Sequence, residues 1–184
     1  MSKPRVEPLA SLPRIKLIGY RGTGKTTVAK HLAKLCGWAW VDTDDLIEES
    51  AGKSIAAIFS GDGEPAFRDL EEQAVADACQ RVQTVIALGG GAVLREENRQ
   101  RLQASGPVVW LTASIETLVE RLAGDDTTGT RRPNLTARGG LAEIEQVLAE
   151  RAPIYDACSD LKVDTEDRAP HEIAEQILHR FATP

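Results

Sequence analysis

The chain reads as one α/β domain built on a parallel sheet, and three observations lead there. Five short apolar runs have strand length: Ile15–Ile18, Trp38–Val41, Val85–Leu88, Val108–Leu111 and Leu161–Val163. Stretches with helical periodicity lie between them, and such alternation makes right-handed βαβ crossovers. A glycine-rich turn, GYRGTGKTT at residues 19–27, joins the first run to the first helix.

In chain order, MSKPRVEPLASLPR carries three prolines and no apolar core, so residues 1–13 are expected as a loose tail, not a signal peptide or anchor. The folded domain is expected over 14–184. Helices are predicted at Thr26–Leu35, Glu64–Cys79, Leu94–Leu102, Ser114–Leu122, Leu141–Arg151 and His171–Phe181. In the second of these, Phe67, Leu70, Ala74, Val75 and Ala78 share one face. Two places break the rhythm. Asp42–Gly63 predicts two short helical pieces, a natural acceptor-binding insert, and GDDTTGTRRPN at 124–134 is too polar to bury a core. The latter is a surface loop or a mobile lid.

Length and charge narrow the function. A chain of 184 residues buries roughly 70% of its unfolded surface and needs no disulfide or metal to fold. A net charge of −6 argues against a nucleic-acid partner. No apolar run approaches the roughly 18 residues of a membrane helix, so a soluble, cytoplasmic protein is expected. Cys36, Cys79 and Cys158 form no CxxC pair and read as reduced, small apolar residues. His31, His171 and His179 sit beside charges on helices and read as surface or capping residues.

Gly19 to Thr26 fits G-x-x-x-x-G-K-[ST] without a mismatch. Glycines let backbone N–H groups turn inward around phosphates, and the helix starting at Lys25 aims its positive end at the same anion. Lys25 would reach the β and γ phosphates, and the Thr26 hydroxyl would ligate Mg²⁺. Gly22, Thr23, Gly24 and Thr27 complete the cradle. An ordinary glycine-rich βα turn is the bland alternative. No N/TKxD motif for guanine is present. Strands three and four end without an acid, whereas strand two ends in WAWVDTDD, which favours a small-molecule kinase over a motor.

On the acceptor side, Asp42-Thr43-Asp44 places two carboxylates on the same side of an extended backbone. One would serve the metal and the other the acceptor hydroxyl, although the same residues suit a helix N-cap. Gly89-Gly90-Gly91 follows strand three and is expected to open onto the crevice at the strands' carboxyl ends. Arg68 stands three and four residues before Glu71 and Glu72, the spacing of an ordinary helical ion pair. Arg151, Arg131 and Arg132 gain meaning only if they converge.

Taken together, GYRGTGKTT, VDTDDLIE, SIAAIF, GEPAFRDLEEQAV, VIALGGGAV, RRP, ERAPIY and VDTEDRAP, in this order from about Ile15 to Phe181, resemble the shikimate kinases. The resemblance implies a P-loop NTPase-type three-layer sandwich with a five-stranded parallel sheet of order 2-3-1-4-5. It also implies a substrate-binding insert at about 43–70 and a LID at about 123–136. The activity implied is ATP- and Mg²⁺-dependent phosphorylation of the 3-hydroxyl of shikimate, on the route to chorismate, by a monomer. By position, Lys25 and Thr26 would serve phosphate and metal, Asp42 the metal's outer shell, and Asp44 the acceptor hydroxyl. Arg68, Gly90 and Arg151 would hold shikimate, Glu71 would orient Arg68, and Phe59 and Phe67 would wall the pocket. Arg132 would be the LID arginine that reaches the phosphates, while Arg121 and Pro170 would flank adenine. Two departures stand out: the segment Arg121–Arg132 is longer than the family's, and Asn134 replaces a common leucine. A gluconate-type kinase and a kinase-like regulatory protein remain the competing readings.

Overall fold

A computed structural model describes residues 14–124 and 140–182. The tail at 1–13, Arg131, Arg132, Asn134 and all but the first two residues of the expected LID lie outside these described residues.

Strands β1 (Arg14–Ile18), β2 (Ala39–Asp42), β3 (Thr84–Ala87), β4 (Val108–Thr112) and β5 (Leu161–Asp164) form one sheet of order β2-β3-β1-β4-β5. Every pairing is parallel, with Ile15 opposite Val85 and Leu17 opposite Val109. The strand that starts the fold thus lies at its centre, and order reverses across β1 and β3. Ligands bind at such a switch point, outside the strands' carboxyl ends.

Alternation along β1 assigns the two faces. Ile15 and Leu17 pack under α1 (Lys25–Cys36), with Val28, Ala29 and Leu32, and under the C-terminal helix (Pro170–Ala182), with Ile173 and Ile177. Ile18 faces the opposite layer, where α4 (Gly63–Ala78) contributes Val75 and Ala78, and α5 (Glu96–Ala104) contributes Leu102. Helix α7 (Gly140–Cys158) adds Tyr155 and Cys158 to that layer. Helix α6 (Ile115–Ala123) lies beside α7, and the C-terminal helix is α8. The expected two short helices of the insert are α2 (Thr43–Ala51) and α3 (Ile55–Gly61), which share a small core of Ile47, Ile55, Ile58 and Phe67 with α4.

Helix α7 departs from the sequence expectation. It was expected to stop at Arg151, because a proline removes a helical hydrogen bond and disfavours helix at the preceding residue. It continues through Pro153 to Cys158. Burial of Tyr155 and Cys158, at 0% and 3% exposure, outweighs that local preference.

Lys16 is fully buried between Leu17 and Ile15 on the α5 side. Its amine donates to the carbonyls of Leu102 and Gly106 at 2.5 and 2.6 Å and to the Ser105 hydroxyl at 3.0 Å, closing the C-terminal end of α5. Burial pulls its pKa down from 10.5 to about 7. Between those values the unfolded chain holds a proton that the folded chain lacks, so this group makes stability rise with pH across pH 7–10. Relative to Lys16→Met, wild-type stability is therefore expected to gain on the order of 4 kcal/mol over that window, read from urea midpoints. A difference that stays flat with pH would contradict the assignment.

Candidate active site

Residues 19–24 turn from β1 into α1 as a phosphate-binding loop requires. Gly19 has φ of +137°, and a Cβ there would meet the Leu111 carbonyl oxygen at 2.3 Å, so no other residue fits. Helix α1 starts at Lys25, and Lys25 Nζ donates to the carbonyls of Gly19 and Tyr20, both at 2.8 Å. The amine is thereby held over the loop mouth.

The Thr26 hydroxyl donates to Asp42 Oδ2 at 2.6 Å, which ties the first turn of α1 to the end of β2. Asp42 also accepts from the backbone N–H of Asp44 at 2.9 Å and is the N-cap of α2. Of the two backbones the sequence leaves open, the capped one forms: Asp44 belongs to the first turn of a helix, and the two carboxylates are arranged by a cap. Burial, and then the charge of Asp44, raise the pKa of Asp42, while its bonds from Thr26 and the Asp44 N–H oppose the rise. A cation bound beside it would relieve that cost. A hydroxyl and a carboxylate in contact are the hard oxygen donors Mg²⁺ accepts, usually with phosphates and water completing its shell. Among the described residues no cluster of three His, Cys, Asp or Glu forms an all-protein cage.

Thr43, the middle residue of the D-x-D, has a role of its own. It is fully buried, and its hydroxyl accepts from the Gly89 N–H at 2.9 Å. The insert is thus fastened to the glycine loop after β3. Gly89, Gly90 and Gly91 follow β3 at the carboxyl end of the sheet and are all buried under protein groups.

Two arginines supply that cover. Arg68, 9% exposed, donates to Glu71 at 2.6 Å and, through Nε and Nη2, to Glu64 at 3.2 and 2.8 Å. Burial disfavours its charge, but Glu71 and Glu64 more than offset this and raise its pKa. Its guanidinium lies against Gly91: a Cβ there would fall 2.2 Å from Nη1. Arg151, 8% exposed, donates to the Gly90 carbonyl at 3.2 Å. The arginines that spacing could not bring together thus meet adjacent glycines at the carboxyl end of the sheet. The Tyr155 hydroxyl donates to the same Gly90 carbonyl at 2.5 Å, a contact hidden from sequence because helix was not expected past Pro153. Phe59 and Phe67 pack with ring centroids 4.5 Å apart, and Arg68 lies over the Phe67 ring at 5.2 Å.

On the other side of the phosphate loop a cavity of about 290 Å³ is lined by Gly22, Gly24, Thr27, Arg121, Thr165 and Pro170, among others. Arg121 and Pro170 therefore line one cavity. Arg121 donates to Thr165 through its hydroxyl at 3.0 Å and its carbonyl at 2.9 Å, and to the Gly22 carbonyl at 3.3 Å. Thr165 and Glu166 were not foreseen. Glu166 accepts from the Thr117 hydroxyl at 2.6 Å and from the Ser114 N–H and hydroxyl, both at 2.8 Å, which fixes the β5–α8 loop against α6. These bonds hold its carboxyl below the usual range.

Comparisons with known proteins agree with this geometry. The family model described as shikimate kinase matches residues 21–182. A shikimate kinase of Rhodopirellula baltica is 47% identical over 178 residues, 97% of this chain and 93% of that protein. One from Thermodesulfovibrio yellowstonii is 41% identical, over 92% and 95%. Among solved structures, shikimate kinase from Acinetobacter baumannii in complex with shikimate superposes with a TM-score of 0.86 at 34% identity, covering 92% and 93% of the two chains. A gluconokinase from Sinorhizobium meliloti, at 18% identity and TM-score 0.50, shares the fold alone. The match over nearly the whole length, together with the phosphate loop and its paired arginines, assigns the chain to the shikimate kinase family.

Proposed function

We propose that this chain transfers the γ-phosphoryl group of ATP to the 3-hydroxyl of shikimate. The observation that carries this reading is the meeting of Arg68 and Arg151 on Gly90 and Gly91, beside the phosphate loop. Two buried guanidinium groups in an acidic chain suit a small anionic acceptor, because a guanidinium pairs with a carboxylate as a fork.

In this reading Gly22, Thr23, Gly24, Lys25, Thr26 and Thr27 hold the phosphates, and Arg121 and Pro170 flank the adenine. Thr26 and Asp42 would hold Mg²⁺, which when bound neutralises phosphate charge. Gly89–Gly91, Phe59 and Phe67 shape the acceptor pocket, Glu71 orients Arg68, and Arg68 and Arg151 grip the carboxylate. Asp44 directs the acceptor hydroxyl and takes its proton late, since phosphoryl transfer is loose and depends on positioning. Lys25 stabilises the charge on the transferring group, and Arg132, from the LID at about 123–136, joins it. The insert at about 43–70 is the acceptor subregion, residues 1–13 are a tail, and the enzyme works as a cytoplasmic monomer. No helix among the described residues is long and apolar enough to cross a membrane.

ADP release with Mg²⁺-ATP, compared across shikimate, gluconate, quinate and no acceptor, tests the reading. Stimulation by shikimate alone is expected; equal rates with gluconate would contradict it. The glycine loop offers a sharper check. Gly91→Ala drives a Cβ into the Arg68 guanidinium, whereas Gly90→Ala meets only ordinary contacts at 3.5 Å or more. Gly91→Ala is expected to raise KM for shikimate about tenfold by misplacing one charge-assisted contact, and Gly90→Ala to change it far less. Equal effects would show that Arg68 is not the group displaced.

A further inference from the structure

The phosphate loop has a second attachment that phosphate binding does not use. Arg21 Nη2 donates to Glu143 Oε1 of α7 at 2.7 Å, and the Glu143 side chain is fully buried while that of Arg21 is 18% exposed. Beside it, Tyr20 is buried among Leu118, Ile144 and Val147. The Tyr20 hydroxyl and Arg21 Nε are buried with no hydrogen-bond partner among the described residues. A buried ion pair is weak evidence of a device for stability, since apolar residues of similar volume often do as well. Its effect is geometric.

Glu143, Val147, Arg151 and Tyr155 recur every fourth residue and form one ridge of α7, about 18 Å long. At one end Glu143 holds Arg21. At the other, Arg151 and Tyr155 both donate to the Gly90 carbonyl. Gly90 in turn packs on the phosphate loop: a Cβ there would lie 3.5 Å from the Gly19 carbonyl oxygen and 3.7 Å from Arg21 N. The path from Arg21 through α7 and Gly90 returns to Arg21, a closed ring that includes both the phosphate loop and Arg151.

We infer that Arg21 and Glu143 are positioning residues that set where α7, and with it Arg151, stands relative to the phosphate loop. This rests on the reading of Arg151 as an anchor for the acceptor's carboxylate. A pair that merely stapled the fold would change stability without regard to Arg151.

The test is a double-mutant cycle with shikimate as acceptor. The apolar pair Arg21→Met/Glu143→Leu is expected to lower kcat/KM for shikimate about tenfold, and in an Arg151→Met background to lower it by less than about twofold. Binding of a non-hydrolysable ATP analogue without acceptor, read by calorimetry, is expected to change less than about twofold, since the cradle's own donors remain. Should the apolar pair fail to fold, Glu143→Gln enters the same cycle, with an expected loss of about threefold that the Arg151→Met background again removes. Losses that are the same in both backgrounds, or a lower Tm with unchanged kcat/KM, would overturn the inference. Wild-type protein with no shikimate-dependent turnover would instead sink the reading of Arg151, and the inference with it.

Discussion

Asp44→Asn is expected to bind ATP normally and to lose about 10²- to 10⁴-fold in kcat, the usual contribution of a positioned acid–base group. The carboxylate sits in the first turn of α2, and its own N–H is held by Asp42. Asparagine keeps that backbone bond and nearly the same shape, so the helix start and the Thr26–Asp42 contact survive. What it loses is the ability to orient the acceptor hydroxyl as an anion does and to accept its proton. Asp42→Asn should behave differently. Its effect is expected mainly in the Mg²⁺ concentration required, because Asp42 is the carboxylate in contact with Thr26. Pre-steady-state turnover and nucleotide binding on both variants separate the two roles. An Asp44→Asn variant with near-wild-type kcat would remove Asp44 from the chemistry.

Arg68→Lys carries the second large effect. Deleting the guanidinium outright would take the Arg68 charge away from Glu71, only 2% exposed, and misfolding would blur the result. Lysine preserves a positive charge near Glu71 but cannot present two parallel donors. Loss of one fork to a carboxylate removes about 1.5–3 kcal/mol, so KM for shikimate is expected to rise roughly 10- to 150-fold. KM for ATP and Tm should move little. A large loss of ATP affinity would place Arg68 on the nucleotide side instead.

How much of this was legible beforehand follows from where the information lies. The phosphate loop is a local device, written in glycines, a lysine and a threonine within eight residues, and every part stands where its spacing put it. Strand runs were equally plain, because the buried centre of a parallel sheet is apolar on both faces. The acceptor site was not, because its parts are ordinary when read alone. Arg68 and Glu71 have the spacing of an exposed helical pair, yet both lie on the buried face of α4. Only the approach of Gly91 turns that pair into a site. Thr43 has no role legible in the sequence because its partner is forty-six residues away. Tyr155 lies beyond the expected helix end at Arg151, and Glu143, inside that helix, has its partner 122 residues away in Arg21. The aspartates were legible only as two alternatives, because a cap and a strand end share the same residue.

Product analysis by phosphorus and proton nuclear magnetic resonance tests the central claim most directly. After incubation with Mg²⁺-ATP and shikimate, the account predicts one new phosphomonoester, coupled to the proton on carbon 3, in equal amount to the ADP formed. ADP accompanied only by inorganic phosphate, or phosphate on another hydroxyl, would contradict it.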